Sequence, residues 1–130
     1  MKKKITCSLL ILVLLLLLCS LQSIRIVRIS GSSMEPAFSD GDLAAAKKVR
    51  QDTGLSKGDV IVFHHEAEKG LLIKRITAMP GETVMYQGHP IRLAEDEYFV
   101  TGDHSDASVD SRQFGPVKRS DIRCLVLSEK

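Results

Sequence analysis

A single, mainly β domain of antiparallel strands behind one N-terminal helix is the fold this sequence predicts, and three observations predict it. From Ile5 to Ile24 there are 20 residues without a charge, with eight leucines between Leu9 and Leu18. Beyond that run the apolar pattern breaks into short stretches of β character, punctuated by turn signals such as Asp40-Gly41, Pro80-Gly81 and Gln87-Gly88. No βαβ alternation, internal repeat or low-complexity linker interrupts them, and 130 residues leave room for one domain.

The apolar run comes first. As a helix rising about 1.5 Å per residue it spans roughly 30 Å, the thickness of a bilayer core. Lys2, Lys3 and Lys4 ahead of a leucine-rich core also fit a cleavable signal peptide. The small-x-small pattern of a cleavage site is hard to place, because Ser20 pairs with Gln22, Cys19 with Leu21 and Leu21 with Ser23. An uncleaved anchor is therefore the expectation, and the missing small residue before Cys19 argues against lipidation. Lys2 to Lys4 and the terminal amine on one side outweigh Arg25 and Arg28 on the other, so the N-terminus is expected inside. The resulting organisation is a cytoplasmic 1–4, a transmembrane 5–24 and an extracytoplasmic domain over 25–130.

Within that domain, Ile24 to Ile29 reads as a strand running into the glycine-containing bend SGSSMEP at 30–36. Leu43 to Val49 is a second strand, although its alanines are poor strand formers. Val60 to Phe63 is short and strongly apolar, and Leu71 to Ala78 follows a charged loop. Val84 to Tyr86 and Pro90 to Leu93 form a hairpin across Gln87-Gly88. Tyr98 to Thr101 and Ile122 to Leu127 complete a set of about eight strands.

Charge and cysteine content exclude several classes. All 16 acidic residues follow position 34, and without Lys2, Lys3 and Lys4 the chain has 15 basic groups, so 25–130 is close to neutral. That leaves no basic face for nucleic acid. Of the cysteines, Cys7 and Cys19 lie in the apolar run and Cys124 stands apart, so no disulfide framework follows. His64, His65, Glu66 and Glu68 suggest a metal, but adjacent histidines cannot project from one strand face, so no metal and no other cofactor is expected.

Ser33, in the bend, needs a base to make its hydroxyl nucleophilic, and Lys74 in LLIKRI is the best candidate. From residues alone, Ser33 also reads as a turn serine, and Lys74 as a solvated strand lysine. Lys74 shares a face with Leu72 and Ile76, while Leu71, Ile73 and Arg75 take the other. A base must be neutral, which a lysine becomes when burial lowers its pKa by several units from about 10.4. His104 beside Asp103 evokes a Ser/His/Asp triad, but nothing in the spacing turns His104 towards Ser33.

SGSSMEP at 30–36, LIKRITAMPGE at 72–82 and GDHSDASVDSRQFGPV at 102–117 stand in the order found in bacterial membrane-bound type I signal peptidases. The chain resembles that family over most of 30–117. The resemblance implies a peptidase-type β fold shared with repressor proteases, and a serine endopeptidase that removes signal peptides from secretory preproteins after small residues. Ser33 would be the nucleophile and Lys74 the general base. Ser108 would orient the lysine, and Asp110 and Arg112 would form a bracing ion pair. The oxyanion would be met by the Ser33 N–H and, since Gly31 stands where some relatives have a serine, by the Gly31 N–H. Ile29, Met34, Phe38, Leu72 and Ile73 would shape shallow apolar pockets. Departures from the pattern are Ala37 for threonine, His104 for asparagine, and Ser105 and Ala107 in the same loop. Only 27 residues separate Lys74 from Gly102, which resembles a minimal form of the family. The partners so implied are preproteins and the lipid bilayer. The rival readings are a non-catalytic relative that binds secreted or pilus subunits, and a Ser/Lys self-cleaving regulator.

Overall fold

The computed structural model describes residues 2–21, 23–66 and 70–128. Helix α1 covers Lys2–Leu21. It stops short of Ile24, which instead opens the first strand, since Ile24, Ile26 and Val27 are β-branched and the backbone of Ile24 pairs with that of Lys47. The described side chains of α1, 7–18, are all exposed. Among the described residues no helix is long and apolar enough to cross a membrane.

The strands are β1 (Ile24–Arg28), β2 (Leu43–Lys48), β3 (Val60–His64), β4 (Leu71–Ala78), β5 (Thr83–Tyr86), β6 (His89–Arg92) and β7 (Glu97–Thr101). They are followed by the one-turn helix α2 (Ser111–Phe114), β8 (Val117–Lys118) and β9 (Ile122–Val126). The eight expected strands are present within a residue or two of their expected ends. The two-residue β8 and α2 are additions too short to leave a periodic signal. Seven strands form one antiparallel sheet in the order β1-β2-β9-β3-β4-β7-β8, and β5-β6 make a separate hairpin.

The last strand in sequence lies inside the sheet, with Leu125 opposite both Lys47 of β2 and Ile61 of β3. Alternation along β3 sends Val60 and Val62 to one apolar cluster and Ile61 and Phe63 to another. Burial on both faces is why VIVF has no polar residue to alternate with. On the first side, Ala44 and Ala46 of β2 share a cluster with Met34 and Phe38, which descend from the loop after β1. The alanines that weakened the case for β2 leave room there for two large side chains, each contributing about 1.5–3 kcal/mol by burial. On the other face of β1, Ile24 and Ile26 are 44% and 66% exposed.

Candidate active site

Ser33 sits on the loop from Ile29 to Asp42. The neck of this loop is closed by backbone bonds from Ile29 N–H to the Asp42 carbonyl (2.8 Å) and from Gly41 N–H to the Ile29 carbonyl (2.9 Å). Past the neck, Met34 and Phe38 are 0% and 3% exposed and anchor the far limb. The Ser33 carbonyl accepts from His104 N–H at 3.1 Å, which ties the loop to the segment after β7.

Lys74 comes from β4, opposite Ile61 of β3. Its side chain is on the Leu72 and Ile76 side, as the strand period requires, and the residue is 3% exposed. Nζ donates to Ser33 Oγ at 2.8 Å and to the Ile73 carbonyl at 3.0 Å. A strand lysine read from periodicity as a solvated charge is thus among the most buried of the described residues. Both groups open onto a cleft of about 290 Å³ whose wall is formed by Val27 to Ser30, Val62 and Leu71 to Ile73.

A buried brace backs the pair. The Asp110 carboxylate is 0% exposed and accepts from Ser108 Oγ (2.7 Å), Gly102 N–H (2.9 Å), and Arg112 Nε and Nη2 (both 2.8 Å). It also caps α2 by accepting from Arg112 N–H, while the Gln113 side chain accepts from Asp110 N–H. Burial by itself would raise the Asp110 pKa; the bonds from Arg112, Gly102 and Ser108 outweigh it and hold the carboxyl at about 2. Gly102 is enclosed, because a Cβ there would strike Ser108 Oγ and stand 2.5 Å from the Ser33 carbonyl oxygen. Its glycine is required by close approach rather than by backbone angle.

The other expected residues are placed unevenly. Ile29, Leu72 and Ile73 line the cleft, whereas Met34 and Phe38 do not; they fill the cluster beneath it. Gly31, expected to meet an oxyanion, has its N–H engaged by Asp40 Oδ1 at 2.8 Å. His104 is exposed and meets Ser33 through its backbone. Arg75, read as a residue of the face away from Lys74, forks onto Asp103 at 2.9 and 2.7 Å and donates to the Gly58 carbonyl at 2.8 Å. Sequence reasoning left that fork out although Asp103 stood in the matched block, because nothing local brings residues 28 apart together. His65 stacks on Phe114 with ring centroids 4.2 Å apart, and Glu68 lies outside the described residues. Among the described residues no group of three or more His, Cys, Asp or Glu side chains could hold a metal. Burial pushes the Cys124 thiol up, against smaller opposing effects of Arg25 and Lys48, as expected of a core residue.

A serine hydroxyl against a buried amine, at the foot of an apolar cleft beside an edge strand, is an arrangement suited to hydrolysis of a peptide bond. Sequence comparison supplies the class: the family described as signal peptidase, peptidase S26, matches residues 2–93 and 87–127. The chain belongs to this family and is an enzyme of the signal peptidase kind. It is similar to signal peptidase I V of Bacillus subtilis (strain 168), 25% identical over 133 aligned positions covering 73% of this chain and 79% of the relative. Signal peptidase IB of Staphylococcus aureus (strain COL) is 31% identical over 136 positions, covering 72% and 71%. Mitochondrial inner membrane protease subunit 2 of Mus musculus is 32% identical over 103 positions, covering 71% of this chain and 58% of that protein.

Proposed function

We propose that this chain removes signal peptides from secretory preproteins with Ser33 as nucleophile and Lys74 as general base, at the outer face of a membrane that holds it by α1. The observation that carries the reading is the 2.8 Å contact between Lys74 Nζ and Ser33 Oγ with the lysine 3% exposed. Burial disfavours the ammonium form, and a neutral amine is what a hydroxyl proton requires.

In this mechanism the substrate lies extended beside the free edge of β1 and its continuation to Ser30, on the wall of the cleft, as an added strand. Ser33 Oγ attacks the scissile carbonyl carbon while its proton passes to Lys74 Nζ. The tetrahedral oxyanion is met by the Ser33 N–H. Collapse breaks the C–N bond, and the leaving amine takes the proton from Lys74, leaving an acyl ester on Ser33. Water, giving its proton to Lys74, then attacks the ester; the bond between the acyl carbon and Ser33 Oγ breaks, Oγ takes the proton back from Lys74, and the cleaved peptide leaves with a new carboxyl end. Ile29, Val62 and Ile73 make the cleft apolar and shallow, which favours small residues before the cut. Ser108 and Asp110 hold the wall behind the pair.

The exposed leucines of α1 fit lipid, and Lys2 to Lys4 favour an inside N-terminus. Incubating the detergent-solubilised full chain with a preprotein, and sequencing the new N-terminus, tests the activity. A single cut after a small residue is expected, and its absence from folded protein would refute the reading. Protease added to intact spheroplasts is expected to degrade 25–130; a protected domain would refute the topology.

A further inference from the structure

Between the neck of the loop and Ser33 lie Ser30, Gly31 and Ser32, and this limb lacks the buried anchors of the other. Ser30 and Gly31 are exposed. Gly31 has φ of +88°, in the left-handed region, and a Cβ there would find nothing within 4 Å. The glycine is therefore needed for the direction of the backbone, not for space, and glycine is the residue with most freedom to lose. A glycine in this conformation thus stands two residues before the serine that has to stay within hydrogen-bond reach of Lys74.

One side chain pins that point. Asp40 Oδ1 accepts the Gly31 N–H at 2.8 Å, across the loop. Asp40 is itself held, because the Gly41 N–H bonds the Ile29 carbonyl and the Ser39 N–H bonds Asp42 Oδ2 at 2.7 Å. Arg28 Nη2 comes within 3.8 Å of the position a Gly41 side chain would take, which brings a cation to the same turn.

We infer that Asp40 is a positioning residue for Ser33: its carboxylate clamps the Gly31 bend and so sets the register of the hydroxyl against Lys74. The inference rests on the reading of Ser33 as nucleophile. Asp40 acts through the backbone, so the loss falls on the rate of the chemical step; misplacement by about 1 Å costs up to about a hundredfold. Because the bond is exposed and water competes for it, a smaller loss is expected, about tenfold in kcat for Asp40→Ala with KM within about twofold. Asp40→Asn keeps an oxygen in the same place and is expected to stay within about twofold of wild type.

The test compares wild type, Asp40→Ala and Asp40→Asn as full chains in detergent, by cleavage kinetics on one preprotein and by NMR hydrogen exchange of the Gly31 amide. Slow exchange in wild type and Asp40→Asn, fast exchange in Asp40→Ala, and the tenfold kcat loss in Asp40→Ala alone are the expected results. Wild-type kcat in Asp40→Ala, equal loss in both variants, or an unprotected Gly31 amide in wild type would each overturn the inference. If Asp40→Ala does not fold, Asp40→Ser, whose oxygen falls short of Gly31, carries the same comparison. Absence of cleavage by wild type would instead count against the functional reading, while the exchange measurement would still decide whether the clamp exists.

Discussion

At the scale of single residues, neighbours on β4 separate chemistry from charge. Arginine at 74 keeps a cation but stays protonated throughout the accessible pH range, so it cannot accept a proton. Lys74→Arg is therefore expected to abolish cleavage while circular dichroism shows a folded chain; near-normal turnover would remove Lys74 as base. Arg75→Lys keeps the charge but loses one limb of the fork onto Asp103. A loss of less than about tenfold in kcat/KM is expected there, because the fork steadies the segment that bonds Ser33 without touching the reacting atoms. Gly102 makes a third case. Its surroundings leave no space for a methyl group against the Ser33 backbone, so Gly102→Ala should cost about 1–3 kcal/mol in urea unfolding. It should also lower turnover by about a hundredfold, since the group that yields carries Ser33, the proposed nucleophile. Unchanged kinetics in that variant would mean the loop can give way freely.

Among elements, α2 and the turn before it carry a pH dependence. Asp110 is held at about 2 in the folded chain against an ordinary value of 3.8. The folded value is the lower, so the stability it contributes is full above pH 4 and is lost as pH falls through 2. A shift of this size is worth about 2 kcal/mol at neutral pH. Asp110→Asn is expected to be less stable than wild type by about 2–4 kcal/mol at pH 7 and by much less near pH 2, read by urea unfolding at both. A difference that persists at pH 2 would show that packing, not ionisation, is at stake. The same elements mark the limit of what the sequence made legible. Strands of four or more residues announced themselves by alternation or by an unbroken apolar run. The four residues of α2 and the two of β8 are defined by caps and by pairing with β7, which no local pattern records. Ser33 and Lys74, 41 residues apart, stand in the sequence as a nucleophile and its candidate base, but only the resemblance to a family set that pairing above a turn serine and a solvated lysine. The engagement of Gly31 by Asp40 and the descent of Met34 and Phe38 into the core depend on the path of a loop, which periodicity does not describe.

Over the whole molecule, the sheet divides into an arm that carries Ser33, β1-β2, and an arm that carries Lys74, β3-β4, with β9 between them. β9 gives Cys124 and Val126 to the cluster on one side and Ile122 to the cluster on the other. A chain ended after Asp121 loses that seam and several kcal/mol of burial, a large part of a domain's margin of about 5–15 kcal/mol. It is expected to show no cooperative urea transition and no cleavage, whereas retained activity would mean that the two arms dock without β9. The consequence is one of timing. During synthesis the serine and the lysine emerge first, and the strand that holds their two arms in one sheet emerges only after both. The two side chains are therefore made well before the sheet that brings them within 2.8 Å of each other is complete.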